Sequence, residues 1–169
     1  MTEYHLTYSG AEDRVLLSLN DQTQPVALTR RLTRELLKGL ASVMDRQKKA
    51  GTTGANELVR KAVLQFEQSN AVSGALADGS LRRHKHSAPD TTLVKLATEV
   101  DITAVQNGQI GLTFKNRENL LTFSLDARGA HVLISTLFET AKGADWDFPE
   151  LEPWVHPTAA RLQGTSSMH

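Results

Sequence analysis

Cysteine is absent from the 169 residues. Its absence excludes a disulfide framework, a thiolate metal site and a cysteine nucleophile. Net charge is absent too, with 19 Lys and Arg against 19 Asp and Glu, so the chain lacks the basic excess of a protein that coats nucleic acid. No stretch approaches the roughly 18 apolar residues of a membrane-crossing helix. The opening MTEYHLTYSG has neither a basic start nor an apolar run, so no secretory signal is expected and a cytoplasmic protein is. Also missing are Gly-x-Gly-x-x-Gly, a Walker loop, His-Glu-x-x-His and Gly-x-Ser-x-Gly. The glycines stand singly at turns; no cofactor is expected, and an enzyme is the less favoured class.

What remains is globular material. Hydrophobic residues make up 40% and charged ones 22%, which is far from the composition of a disordered chain, so the chain should fold. Its length suits one domain with an adequate core. The charge is uneven: residues 1–90 hold 13 Lys and Arg against 10 Asp and Glu, and residues 91–169 hold 6 against 9. That distribution implies a basic patch facing an acidic partner or an acidic tail.

The second half reads most clearly. From Thr92 to Val105, Val100, Ile102 and Ala104 alternate with Glu99, Asp101 and Thr103, the period of a half-buried strand. Asn107-Gly108 supplies the two residues of positive φ for a tight turn, and Ile110, Leu112 and Phe114 then alternate in a second strand. After a turn at Asn116–Asn119 come Leu121, Phe123 and Leu125, and Asp126 stands where a helix cap belongs. The helix carries Val132, Leu133, Leu137, Phe138 and Ala141 at helical spacing, and Gly143 is expected at its left-handed end.

The first half repeats the pattern. Tyr4, Leu6 and Tyr8 alternate, then Val15, Leu17 and Leu19, and Pro25–Leu28 reads as a third, short strand. Thr29 caps a helix bearing Leu32, Leu36, Leu37, Leu40, Val43 and Met44, expected to end near Gln47. The spacing from Arg14 to Arg30 matches that from Gln109 to Asp126 within about one residue, which suggests a duplicated βββα unit. Between the halves, a helix over about 55–69 has Leu58, Val59, Ala62, Val63 and Phe66 as its apolar side, expected to face inward. Residues 69–90, with Gly74, Gly79, Pro89 and the run Arg82-Arg83-His84-Lys85-His86, read as a long basic loop, a kind of segment that often carries function.

The predicted fold is therefore α+β and two-layer: an antiparallel meander sheet or half-barrel, with amphipathic helices on one face, over residues 1–144. Leu36, Leu37, Leu40, Leu133, Leu137 and Phe138 are its expected core contribution. Residues 145–169 form an extended acidic-aromatic tail, in which Trp146, Phe148 and Trp154 alternate with Asp145, Asp147, Glu150 and Glu152.

Three groupings carry chemistry. Arg30, Arg31, Arg34 and Lys38 cluster at the start of the first helix, where cations oppose the helix dipole, so an anion or local partners such as Glu35 should compensate. The tail itself is one candidate for that anion, within the chain or from a second copy. Arg82, Arg83 and Lys85 could meet an acidic protein or a nucleic-acid backbone, but no aromatic lies in the run to stack on bases. His84 and His86 with Asp90 are possible ligands in a loop, and no metal site is expected of them. His131 and Ser135 lie one turn apart with Asp126 nearby, yet Asp126 is needed as a cap, so a polar helix face is the better reading than a triad.

The leading expectation is a non-enzymatic protein-binding or assembly module, an adaptor or small subunit. It would use the tail (Trp146, Phe148, Trp154) and the basic loop (Arg82, Arg83, Lys85) to bind another protein or a second copy of itself. The alternative is a nucleic-acid-binding accessory protein using the first helix and residues 82–86. An enzyme with an unrecognised site comes third.

Overall fold

Alternation of apolar and polar side chains closes the first hairpin. Strands β1 (Tyr4–Ser9) and β2 (Arg14–Leu19) pair antiparallel from Tyr4 opposite Leu19 to Ser9 opposite Arg14 in the computed structural model, which describes residues 4–19, 24–51, 54, 56–80 and 93–156. The short β3 (Val26–Leu28) pairs antiparallel with β2, and all three of its residues are buried. Thr29 then starts helix α1 (Arg30–Gly51) as expected, its Oγ1 accepting a hydrogen bond from the Leu32 N–H at 3.1 Å. Leu32, Leu36, Leu37, Leu40, Val43 and Met44 are all buried. The helix runs beyond Gln47 because strong helix formers continue the turn and Lys48 and Lys49 suit its negative end.

Helix α2 (Glu57–Ala77) departs most from the sequence reading. It is capped by Asn56, whose Oδ1 accepts from the Leu58 N–H at 3.1 Å, and it continues through residues 69–77, read above as loop. Small residues hold that stretch down: Ala71 and Ala75 pack on Val132 in a buried cluster of their own. Gly74 lets the helix approach Arg128, since a Cβ there would lie 3.2 Å from the guanidinium. The orientation of α2 is also reversed. Its buried residues are Leu64, Gln68, Ala71 and Ala75, while Leu58, Val59, Val63 and Phe66 face solvent.

Strand β4 (Lys95–Leu96) runs parallel to β3, and β5 (Glu99–Ala104) follows almost at once. The chain changes sheets between neighbours: the Ala97 N–H donates to the Ala27 carbonyl, and the Thr98 N–H donates to the Lys115 carbonyl of the second sheet. A tight turn, with Asn107 at φ 66° and Gly108 at φ 74°, joins β5 to β6 (Ile110–Lys115), and β7 (Asn119–Leu125) completes the meander. Asp126 caps helix α3 (Ala127–Gly143), its Oδ1 accepting from the Gly129 N–H at 2.7 Å. At the other end, Asp145 and not Gly143 takes the left-handed conformation, at φ 56°. The Asp145 and Trp146 N–H groups donate to the Lys142 and Ala141 carbonyls, so two terminal carbonyls are satisfied as the chain turns into the tail.

The fold is α+β, as the patterns predict, with the strands arranged as two sheets, β1-β2-β3-β4 and β5-β6-β7. Each half presents three consecutive antiparallel strands and then a helix, and α2 stands between the halves. The halves interlock. Helix α1 packs chiefly across β5 of the second sheet, α3 reaches β1 of the first, and Gly39 lets α1 lie against Ile102. One apolar cluster joins both sheets, the three described helices α1, α2 and α3 and the first part of the tail.

Candidate functional site

The tail candidates come first. Trp146, Phe148, Leu151, Trp154 and Val155 are all buried in this chain's own core. Trp146 Nε1 donates to Asp13 Oδ1 at 2.9 Å, Tyr8 donates to the same oxygen at 2.7 Å, and the two rings meet edge to face. The two donors, Tyr8 foremost, hold the Asp13 carboxyl below its ordinary pKa. One acid between the aromatics, Glu150, meets a cation of the cluster predicted to need an anion, and Arg30 of that cluster reaches the tail's backbone. Arg34 Nε lies 3.6 Å from Glu150, the Arg30 guanidinium donates to the Asp147 carbonyl, and Lys61 lies 3.0 Å from Glu152. Arg31 pairs with Glu35 at 3.0 Å and also donates to the Thr98 carbonyl. Lys38 borders a crevice of about 280 Å³ with Glu150 and Glu152 on its wall. Residues 145–156 thus form an internal strap, and Trp146, Phe148 and Trp154 are not surface groups.

Arg82, Arg83, His84, Lys85, His86 and Asp90 lie outside the described residues. Among the described residues no group of three His, Asp or Glu is placed to hold a metal ion, and no helix is long and apolar enough to cross a membrane.

His131 has a structural partner. Its Nδ1 lies 2.5 Å from Gln68 Oε1, while Gln68 Nε2 donates to the His131 carbonyl at 3.1 Å. That pairing places the proton of the neutral ring on Nδ1 and leaves Nε2 turned toward Glu67, 3.8 Å away. Burial lowers the imidazole pKa to about 4, with Glu67 opposing the shift. Asp126 is occupied as the α3 cap and His131 by Gln68, so neither serves the other in a triad.

The surface that stands out is the outer side of α2. Leu58 is 75% exposed, Phe66 65%, Val59 54% and Leu76 51%, with Val63 and Ala62 exposed between them. The helix has four charged residues, and each turns aside into an ion pair: Arg60 with Asp45 at 2.6 Å, Glu57 with Lys61 at 2.9 Å, Lys61 also with Glu152, and Glu67 with Lys48. Apart from Glu57 at its start, the exposed residues of the helix are Leu, Val, Ala, Phe, Ser, Asn and Gln. A solvated face would be expected to carry charge. Beside it lies a groove of about 570 Å³ between α1, α2 and the β5–β6 turn, lined by Met44, Val59, Val63, Leu64, Ala104 and Val105 with a rim of Lys48, Arg60 and Glu67. The sequence shows the stripe but not its direction, because Ala71, Ala75 and Gln68 give no comparable signal for the true inner face.

No protein-family model, no curated protein and no solved structure matches the chain.

Proposed function

We propose that the chain is a non-enzymatic protein-binding or assembly module. The observation that supports it is the uncharged, exposed apolar face of α2, which keeps large side chains in water on a helix already anchored by ion pairs on its flanks. Contiguous exposed apolar surface of this kind marks a contact with another protein more often than it marks chemistry. The tail's part in this reading is to fix α2 in place through Glu152 and Lys61. Arg82, Arg83 and Lys85, which follow α2 in the sequence, supply positive charge for an acidic flank of the partner. A nucleic-acid role gains no support from the first helix, since Arg30, Arg31 and Arg34 already have partners within the chain.

The test is substitution of an exposed anchor. Phe66→Ser should leave the melting temperature within the range of surface changes, roughly 0.5 kcal/mol in stability, while weakening partner binding by about tenfold or more. Equal binding by the variant and the parent, measured by titration, would remove α2 from the interface.

A further inference from the structure

We infer that the outer face of α2 is a docking surface for a second copy of this chain, the two α2 helices crossing antiparallel about a twofold axis near their middle. The inference rests on the binding-module reading and names its partner. A twofold contact sets residue i of one copy against residue j of the other and j against i, so a charge near the axis meets its like and one off the axis needs an opposite charge at the matching position. The middle of the α2 face makes neither demand, since Glu57 stands at the helix start and Arg60, Lys61 and Glu67 are drawn into ion pairs with Asp45, Glu152 and Lys48. A partner selected by opposite charge would have no charge on this face to read.

The order of side chains is also self-complementary. Leu58 and Leu76 are about five turns apart and so lie on one line along the helix. A twofold axis between them sets Leu58 of one copy opposite Leu76 of the other and brings each Phe66 beside Ser69 of its partner. Ala62 and Ser73 fill the intervals with small side chains, which permits close approach of the two backbones. All six residues are exposed. A helix of this length spans about 31 Å, and one helix pair buries less than the roughly 800 Å² per partner of a standard interface. Self-association is accordingly weak and concentration-dependent.

Absence of native cysteine makes the geometry directly testable. Leu58→Cys and Leu76→Cys variants would each be treated with a short bismaleimide alone and then as an equimolar mixture, alongside sedimentation of the unmodified chain from micromolar to millimolar concentration. Positions 58 and 76 are about 27 Å apart along the helix, so an antiparallel pair links only unlike variants. The expected result is a cross-linked dimer in the mixture at least fivefold above either variant alone, and a dimer in sedimentation that Phe66→Glu abolishes without lowering the melting temperature. Cross-linking of each variant to itself, or a monomer at every concentration, overturns the inference. If the chain stays monomeric while Phe66→Glu still abolishes binding of a different protein, only this inference falls. If Phe66→Glu changes neither, the binding-module reading falls with it.

Discussion

His131 shows how one buried side chain sets a pH response. Its ring is kept neutral between Gln68 and the edge of Trp154, with Glu67 and Lys48 the charged groups nearest to it. The folded pKa of about 4 lies below the ordinary value of 6.5, so the unfolded chain binds the proton first. Stability contributed by the neutral ring is complete above about pH 6.5 and is lost as the pH falls toward 4, by up to about 3 kcal/mol. Chemical denaturation at intervals between pH 7 and 4 should show this slope, and His131→Gln should flatten it. A slope that survives His131→Gln would place the titration elsewhere. The sequence identified His131 as a polar helix residue and not as a triad member, but Gln68, its partner 63 positions earlier, carries no local signal.

Among the elements, the helix starts were legible and the helix faces less so. Thr29 and Asp126 announce their helices because capping is a contact with residues two or three positions on. The end of α3 escaped the same logic: Gly143 remains helical and Asp145 adopts the left-handed turn that glycine prefers. Asp145→Gly should therefore stabilise the chain, by about 0.5–1 kcal/mol, measurable as a shift in the denaturation midpoint at constant slope. Destabilisation would mean that the Asp145 side chain itself contributes to the turn. Helix α2 was misread for a related reason. Hydrophobic size is a poor guide to direction when the inner seam is built from Ala71 and Ala75 and the outer one from Leu58, Val63 and Phe66. Leu36, Leu37, Leu40, Leu133 and Leu137, on helices with one apolar stripe, are fully buried, while Phe138 is half-buried against His156.

At the scale of the whole molecule, the strap decides whether the interlocked halves hold. Trp146, Phe148 and Trp154 each contribute on the order of 2–3 kcal/mol on burial, together comparable to the entire stability of an ordinary domain. Removing residues 145–169 should leave a chain without a cooperative thermal transition at 25 °C and above, as followed by near-ultraviolet circular dichroism. A truncated chain that melts like the parent would show that the strap is dispensable. The sequence set out this contact in outline, through aromatics beside acids in the tail and cations at the start of α1. The contact with Asp13 and the sheet change at Ala97 were not visible, because each joins residues far apart in the chain. Strap and sheet change together constrain synthesis. The first sheet is not complete until Leu96 has been made, and the common core is not complete until Trp154 and Val155 have joined it. During elongation, therefore, the two halves cannot close on a finished core before the strap itself has been made.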